Sequence, residues 1–236
     1  MNSASAPDVL VFDMDGVLVE VMQSYREAIR ETVRHFTGEL VPHDVIQDFK
    51  NAGGWNNDWL LSQRIIGDLG KRVEYADVVA YFNRIFLGEN GDGLINKENW
   101  MPRPGLLEHL AEGCALAIFT GRAKYEADVT LKRYAAAIHF EPLITDESVS
   151  NPKPAPDGLE LIKAHYPAQT IWYLGDTVDD ARSAQDAAVP FIGVSTPHNP
   201  RHEEIARLLR GFGAFAVIAD INELPLLVNG AARNRS

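Results

Sequence analysis

The stretch "VLVFDMDGVLVE", residues 9–20, decides the fold of this chain. An apolar run at 8–12 is followed directly by Asp13 and Asp15, one residue apart, and then by Gly16. Residues i and i+2 of an extended segment face the same side, so the two acids can address one point. An Asp-rich turn before a glycine would explain a single acid. Two acids after a buried strand instead favour a metal site with a nucleophile and a proton donor.

Similar apolar runs recur along the chain and alternate with helical patterns. Continuous apolar runs, rather than alternating ones, are typical of strands buried on both faces of a parallel sheet. Strand followed by helix, repeated, predicts an α/β fold with a doubly wound, Rossmann-like parallel sheet as its core. The predicted strands are 8–12, 114–120, 170–174, 190–194 and 214–219, and the predicted helices are 122–134, 157–165, 179–188, 201–210 and 222–228.

One segment interrupts this alternation. Residues 18–100 show no convincing buried strand but carry several amphipathic patterns, so we predict an all-helical cap inserted after the first strand. The core domain is then 1–17 with 101–236, and the cap domain is 18–100. Helices are predicted within 22–36, 43–51, 56–68 and 74–87, a turn-rich return connection at 88–99, and a frayed tail at 229–236.

Composition excludes several classes of function. The chain has 236 residues, is 46% hydrophobic and carries a formal net charge of -11. This charge argues against nucleic acid and anionic membrane surfaces, but not against a small phosphorylated molecule held by a few local cations. The single cysteine, Cys114, allows no intramolecular disulfide and is expected to be a buried structural thiol. Without a signal peptide or spanning segment, we expect a soluble, cytoplasmic protein. The sequence does not indicate an oligomeric state.

Polar residues follow two further predicted segments. After "ALAIF" come Thr120, Gly121 and Arg122, and a hydroxyl with free amides at a helix start can hold an anion. The alternative for Thr120 is a simple helix N-cap. Lys153 lies in a proline-framed loop that excludes helix, where a lysine can act as a point charge for phosphate. A solvated loop lysine is the alternative.

Three acids follow the predicted strand at 170–174, namely Asp176, Asp179 and Asp180. Such a cluster invites a hard cation with oxygen ligands, and Asp176, nearest to the strand, is the first candidate. The helix dipole alone would explain one of the three. Because ligands of open parallel sheets lie beyond the carboxyl ends of the strands, these groups are expected to meet. The set fits phosphoryl transfer with Mg²⁺.

Four short motifs carry a family resemblance. In order, "DMDGV" (13–17), "TGR" (120–122), "NPKP" (151–154) and "GDTVDD" (175–180) resemble the motifs of the haloacid dehalogenase superfamily. The position of the helical insert resembles the phosphoglycolate phosphatase-like branch with a helical cap. The core resemblance covers about 8–20 and 100–228, whereas the cap matches in position and helical character only.

The resemblance implies roles for the acids. Asp13 would be the nucleophile that becomes an aspartyl phosphate, and Asp15 would protonate the leaving group and then activate water. Mg²⁺ would be bound by Asp13, the backbone carbonyl of Asp15, and Asp176. Relatives that cleave carbon–halogen bonds generally lack the second acid and the metal, so the presence of Asp15 argues against dehalogenation.

The resemblance also implies a phosphate site. Thr120, Gly121 and Lys153 would hold the phosphoryl oxygens. Asp180, at the last position of the GDxxxD pattern, would support the metal site or orient Lys153. Asp179 has no comparable role.

Residues that could read the substrate lie elsewhere. In "NAGGWNNDWLL" (51–61), Trp55, Asn56 and Asn57 are candidates, although the tryptophan could belong to the core and one asparagine could cap the next helix. Arg122 could contact a phosphate or carboxylate, the alternative being a solvated residue of the first helical turn. His198 is more simply a surface loop residue.

The expected function is therefore a Mg²⁺-dependent phosphatase acting on a small phosphorylated metabolite. The alternatives are a phosphomutase of the β-phosphoglucomutase type and a non-catalytic phosphate-binding protein on the same fold. The sequence does not name the substrate.

Overall fold

A parallel sheet forms the centre of the larger unit. The computed structural model describes residues 5–233, and within them the sheet has the strand order β5-β4-β1-β6-β7-β8, with every neighbouring pair parallel. The strands are β1 (Val9–Phe12), β4 (Ala115–Phe119), β5 (Leu143–Ile144), β6 (Ile171–Gly175), β7 (Phe191–Val194) and β8 (Ala216–Ile218).

The central strands are buried on both faces, which explains their continuous apolar sequences. All residues of β1 and β6 are buried. Val11 of β1 lies opposite Ala117 of β4 on one side and Tyr173 of β6 on the other. Since parallel strands in register end at the same edge, residues just beyond β1, β4 and β6 are brought side by side.

Helices cover the sheet and complete the core. They are α5 (Leu106–Ala111), α6 (Lys124–Tyr134), α7 (Asp157–His165), α8 (Val178–Asp186), α9 (His202–Gly211) and α10 (Leu224–Arg233). Apolar side chains of α7, α8 and α9, such as Leu159, Ala181 and Leu209, pack in one buried cluster with Val11 and Phe119 of the sheet. The predicted doubly wound α/β fold is confirmed.

The chain folds into two compact units, Met1–Val19 with Trp100–Ser236, and Glu20–Asn99. Two short strands, β2 (Val19–Glu20) and β3 (Asn99–Trp100), pair with each other. They contain the two points at which the polypeptide crosses from one unit to the other. We call the second unit the cap. Its helices are α1 (Tyr25–Thr37), α2 (His43–Ala52), α3 (Asp58–Asp68) and α4 (Tyr75–Leu87).

The cap has an aromatic core of its own. The rings of Tyr25 and Phe86 lie 4.0 Å apart between centroids, and Phe82 lies 5.9 Å from Phe86. Trp59 packs edge-on against Phe82 and donates its indole N–H to Oδ1 of Asn83 at 3.0 Å. These helices match the predicted amphipathic patterns, because each has buried residues beside exposed ones.

Local predictions were incomplete or wrong at four places. Helix α5 and the two-residue strand β5 were not predicted. The tail was predicted to fray from 229, but α10 continues to Arg233 with Ala231 buried, and residues 234–236 lie outside the described part of the chain. Cys114 is half-buried, with its Sγ 3.4 Å from the carbonyl oxygen of Pro7. Along the described residues, no helix is both long and apolar enough to cross a membrane.

Candidate active site

Three polar residues stand one step beyond three adjacent strands. Asp13 follows β1, and its N–H donates to the carbonyl of Leu174, which extends the β1–β6 ladder by one residue. Thr120 follows β4, and its N–H donates to the carbonyl of Ile144. Asp176 follows β6 directly. The sheet therefore delivers these side chains to one edge, as expected from its parallel register.

Lys153 lies between two carboxylates of the site, those of Asp13 and Asp180. Its Nζ donates to Oδ1 of Asp13 at 2.9 Å and lies 2.7 Å from Oδ1 of Asp180. The lysine side chain is 1% exposed, and its ammonium lies 4.7 Å from the centre of the Phe119 ring and 5.4 Å from that of Tyr173. The alternative of a solvated loop lysine is therefore wrong.

Asp180 is held by a dense set of donors. Its Oδ1 accepts from the hydroxyl of Tyr173 at 2.5 Å as well as from Lys153. Its Oδ2 accepts from the N–H and the hydroxyl of Thr177, at 3.0 and 2.6 Å, in the capping box that starts α8. These contacts hold the carboxylate of Asp180 in place beside the ammonium of Lys153.

Burial and charge shift the pKa values of these groups. Burial raises the pKa of Asp13 to about 7, with Asp180 and Asp15 adding to the rise and Lys153 opposing it. Burial disfavours the charged form of Lys153, but Asp13 and Asp180 outweigh it and raise the pKa of the ammonium. For Asp180 burial is likewise outweighed, by Lys153 and the hydrogen bonds of Thr177 and Tyr173, so its pKa is lowered. Lys153 and Asp180 therefore form an ion pair. A further cation bound beside Asp13 would lower the pKa of the Asp13 carboxyl.

The same acids offer oxygens for a cation. One carboxylate oxygen each from Asp13, Asp176 and Asp180 lies within 4.8 Å of the others. Gly16 makes the approach possible: it has φ of +73°, and a Cβ there would collide with the carboxylate of Asp176. Oxygen ligands of this kind fit a hard divalent cation. Since both oxygens of Asp180 already accept hydrogen bonds, Asp13 and Asp176 are the side chains that would hold it.

Asp15 has a partner that the sequence did not indicate. The Nε and Nη2 atoms of Arg122 both donate to its Oδ1, at 2.9 and 2.5 Å. Nη1 of Arg122 donates to the hydroxyl of Thr130 at 2.8 Å. Arg122 was weighed as a solvated residue of the first helical turn, and this is wrong because its side chain is fully buried and α6 begins only at Lys124.

The start of α6 also corrects the interpretation of Thr120. The N-cap position is occupied by Ala123, whose N–H donates to Oε2 of Glu126, so Thr120 is not the N-cap. Oγ1 of Thr120 accepts from the N–H of Arg122 at 3.2 Å, and Gly121 lies half-buried between them. A hydroxyl that accepts one hydrogen bond can also donate one, so Thr120 could donate to a phosphate oxygen.

The candidate residues of the cap have structural contacts within the cap. Trp55 packs edge-on against Phe49, and the guanidinium of Arg64 lies 5.7 Å from its ring. Oδ1 of Asn57 caps α3 by accepting from the N–H of Leu60, and the carbonyl of Asn56 lies 3.5 Å from Nζ of Lys50. These contacts match the alternatives weighed for the tryptophan and for one asparagine. A role for the three residues in substrate recognition stays a prediction.

Some site residues were missed because their signals are not local. Tyr173 lies in a strand that looks uniformly apolar, and Thr130 lies two turns into α6. Thr177 could have been found, since a threonine three residues before an aspartate at a helix start is the pattern of a capping box. His198 is exposed, as predicted for a surface loop.

The fold and the site together define an α/β protein with a cluster of carboxylates that could hold a cation at the carboxyl edge of its parallel sheet. The sequence model of the haloacid dehalogenase-like hydrolases matches residues 7–188, and this chain belongs to that family. The predicted family and its phosphatase class of enzyme are confirmed.

Relatives extend over most of the chain. A phosphoglycolate phosphatase of Rhodobacter capsulatus is 24% identical over 197 residues, covering 78% of this chain and 82% of that protein. An imidazoleglycerol-phosphate dehydratase of Phytophthora nicotianae is 35% identical over 207 residues, covering 82% of this chain; the chain spans less than half of that longer protein, 44% of its length. The crystal structure of a phosphonoacetaldehyde hydrolase like protein from Oleispira antarctica shares the fold, with a TM-score of 0.75, 13% identity, and coverage of 99% of this chain and 95% of that one.

Proposed function

We propose that this protein is a Mg²⁺-dependent phosphatase that hydrolyses a small phosphorylated metabolite through an aspartyl phosphate at Asp13. The observation that carries the proposal is a pair of buried contacts of Lys153, with Asp13 and with Asp180. They lie beside Asp176 at the edge of the sheet. A carboxylate nucleophile next to a fixed cation and a metal site is what transfer of a phosphoryl group needs.

In the first half of the reaction, one bond to phosphorus forms, one bond to phosphorus breaks and one proton is transferred. The carboxylate of Asp13 attacks phosphorus, and the bond between phosphorus and the ester oxygen breaks. Asp15 gives a proton to that oxygen, which leaves as an alcohol. Lys153 and the hydroxyl of Thr120 offset the charge on the phosphoryl oxygens. A Mg²⁺ ion held by Asp13 and Asp176 would supply further neutralisation of this charge.

The second half regenerates the enzyme. Asp15, now a carboxylate, takes a proton from water while the water oxygen attacks phosphorus. The bond between Asp13 and phosphorus breaks, and inorganic phosphate is released. Asp180 does not react: it accepts hydrogen bonds from Lys153, Tyr173 and Thr177 and so keeps the lysine in place.

The test is phosphate release by Asp13→Asn. Wild-type protein with Mg²⁺ is assayed on a panel of phosphorylated metabolites, and the variant is assayed on the best substrate. Asn keeps the shape of the side chain but is a poor nucleophile, so we expect a loss of about 10³-fold or more. The matched control is Asp128→Asn, which changes an exposed aspartate of α6 that pairs with Lys124.

Product analysis separates the alternatives. A phosphatase yields inorganic phosphate in stoichiometric amount, whereas a mutase yields a phosphorylated isomer and depends on a bisphosphate activator. Wild-type activity in Asp13→Asn would refute the nucleophile. Absence of any product from the wild-type protein across the panel would favour the non-catalytic alternative.

A further inference from the structure

Arg122 is built into the site as a buried clamp on one oxygen of Asp15. Its guanidinium donates to Oδ1 of Asp15 from both Nε and Nη2, and its third group, Nη1, donates to Thr130. The arginine side chain is 0% exposed, whereas that of Asp15 is 33% exposed. The cation is therefore enclosed by protein, and the carboxylate that it holds still reaches solvent.

The two oxygens of Asp15 differ as a result. Within residues 5–233, hydrogen bonds reach Oδ1 of Asp15, and none reaches its Oδ2. A guanidinium is planar and presents its N–H groups in a fixed fork, so two donors on one oxygen also set the rotation of the carboxylate. Oδ1 is thereby the anchoring oxygen, and Oδ2 is the oxygen that can meet another molecule.

The anchor is itself fixed from α6. Thr130 is buried, and its hydroxyl accepts the hydrogen bond of Nη1. The main-chain N–H of Arg122 donates to the hydroxyl oxygen of Thr120, the expected phosphate ligand. One residue thus ties the orientation of Asp15 to that of Thr120, the residue that follows β4.

We propose that Arg122 is a positioning residue that aims Oδ2 of Asp15 for both proton transfers, an inference that rests on the proposed function. Oδ2 gives its proton to the ester oxygen as the bond from phosphorus to that oxygen breaks. Oδ2 then takes a proton from the water that attacks phosphorus. Arg122 does not touch the substrate in this scheme, because its guanidinium is fully buried.

The test uses leaving groups with different needs for a proton. An alkyl phosphate needs protonation of its leaving oxygen, whereas p-nitrophenyl phosphate expels a stable anion. The measurement is the single-turnover rate at which each substrate phosphorylates Asp13. With the alkyl phosphate, Arg122→Lys should lower this rate by about 10- to 100-fold. The rate with p-nitrophenyl phosphate should fall much less, and KM for either substrate should stay within about threefold, since substrate contacts remain.

A double-mutant cycle identifies the residue through which Arg122 acts. If Arg122 works through Asp15, then Arg122→Lys should cost nothing further in an Asp15→Asn background. Thr130→Val keeps the shape of that residue and removes its hydroxyl, which accepts from Nη1 of Arg122, so it should give the same dependence on the leaving group with a smaller loss. It carries the test if Arg122→Lys does not fold.

Three results would overturn the inference. A raised KM with unchanged kcat would make Arg122 a substrate ligand. Equal losses for both leaving groups, together with a lowered melting temperature, would make its role structural. Additive losses in the cycle would uncouple it from Asp15. Failure of the proposed function is distinct, because the wild-type protein would then transfer no phosphoryl group to Asp13 from either substrate.

Discussion

Lys153 and Asp13 are 140 residues apart in the chain, yet Nζ of the lysine donates to Oδ1 of the aspartate at 2.9 Å in a buried setting. The strand β1 places Asp13, and the proline-rich loop before α7 places Lys153. Asp180 lies 2.7 Å from the same ammonium. The ammonium of Lys153 therefore joins three separate segments of the core.

Removal of Lys153 should lower both activity and stability. Lys153→Met leaves the carboxylates of Asp13 and Asp180 buried without their cation. Loss of one partner from a buried pair costs about 3–5 kcal/mol. We expect a drop of this size in the free energy of unfolding by urea and loss of phosphatase activity.

The matched control is Lys124→Met, at the exposed start of α6, where the lysine pairs with Asp128. An exposed pair contributes about 0–1 kcal/mol, so the control should unfold nearly like the wild-type protein. A loss of less than about 1 kcal/mol for Lys153→Met would contradict the role of the buried ion pair in stability.

Asp13 should give the metal-free protein a distinct pH dependence. Its pKa is about 7 in the folded chain and 3.8 as the ordinary value, so the folded state binds more protons between these values. The contribution of Asp13 to stability therefore falls as pH rises through this range. Asp13→Asn removes this dependence. Between about pH 4.5 and about pH 7.5, the free energy of unfolding of the variant should rise by about 1 kcal/mol or more relative to that of the wild-type protein.

The measurement is urea unfolding at both pH values with a chelator present. Asp128→Asn, in the exposed part of α6, serves as the control and should show no such change relative to the wild-type protein. The raised pKa of Asp13 would be contradicted if the two proteins differed in their free energy of unfolding by the same amount at both pH values. It would also be contradicted if the variant lost stability relative to the wild-type protein as the pH rose.

Gly16 should not tolerate a side chain. A Cβ at this position collides with the carboxylate of Asp176, and the residue has φ of +73°. Gly16→Ala should therefore displace Asp176, the proposed metal ligand, and reduce activity and metal affinity together. Gly213→Ala is the control, since Gly213 has φ of +95° but nothing within 4 Å of its Cβ.

The control isolates backbone strain, which costs about 1–2 kcal/mol for a residue in the left-handed region. It should lose stability only, with activity and metal affinity retained. Equal effects of the two substitutions on metal affinity would show that the collision with Asp176 is unimportant.

The fold was largely predictable because its strands are buried on both faces. The continuous apolar runs of β1, β4 and β6 follow directly from that burial, and their ends place the acids. Strand β5 escaped prediction since two residues, Leu143 and Ile144, carry no periodicity. Helix α5 has only six residues, fewer than two turns, which is too short for an amphipathic pattern to stand out.

The site was predictable as far as its residues are local to strand ends. Asp13, Thr120 and Asp176 follow from position alone, whereas the contact between Lys153 and Asp13 was not predicted. The pairing of Arg122 with Asp15 spans 107 residues and depends on the rotamer of a long side chain. The anchoring of Arg122 by Thr130 depends on the packing of α6, which no sequence pattern encodes.

Asp176 should be required for stabilisation of the folded protein by Mg²⁺. A ligand that binds only the folded state stabilises it by about 2.7 kcal/mol at 100 times its dissociation constant. We therefore expect Mg²⁺ to raise the melting temperature of the wild-type protein after removal of metal with a chelator. Asp176→Asn removes one charged ligand, so Mg²⁺ should raise its melting temperature little or not at all.

Asp186→Asn is the matched control, because Asp186 is an exposed residue at the end of α8, the helix that follows Asp176. Its response to Mg²⁺ should equal that of the wild-type protein. Thermal unfolding reports binding without any substrate, so the result does not depend on the reaction. An undiminished shift in Asp176→Asn would remove this residue from the metal site and leave the carboxylate of Asp13 as its principal charged ligand.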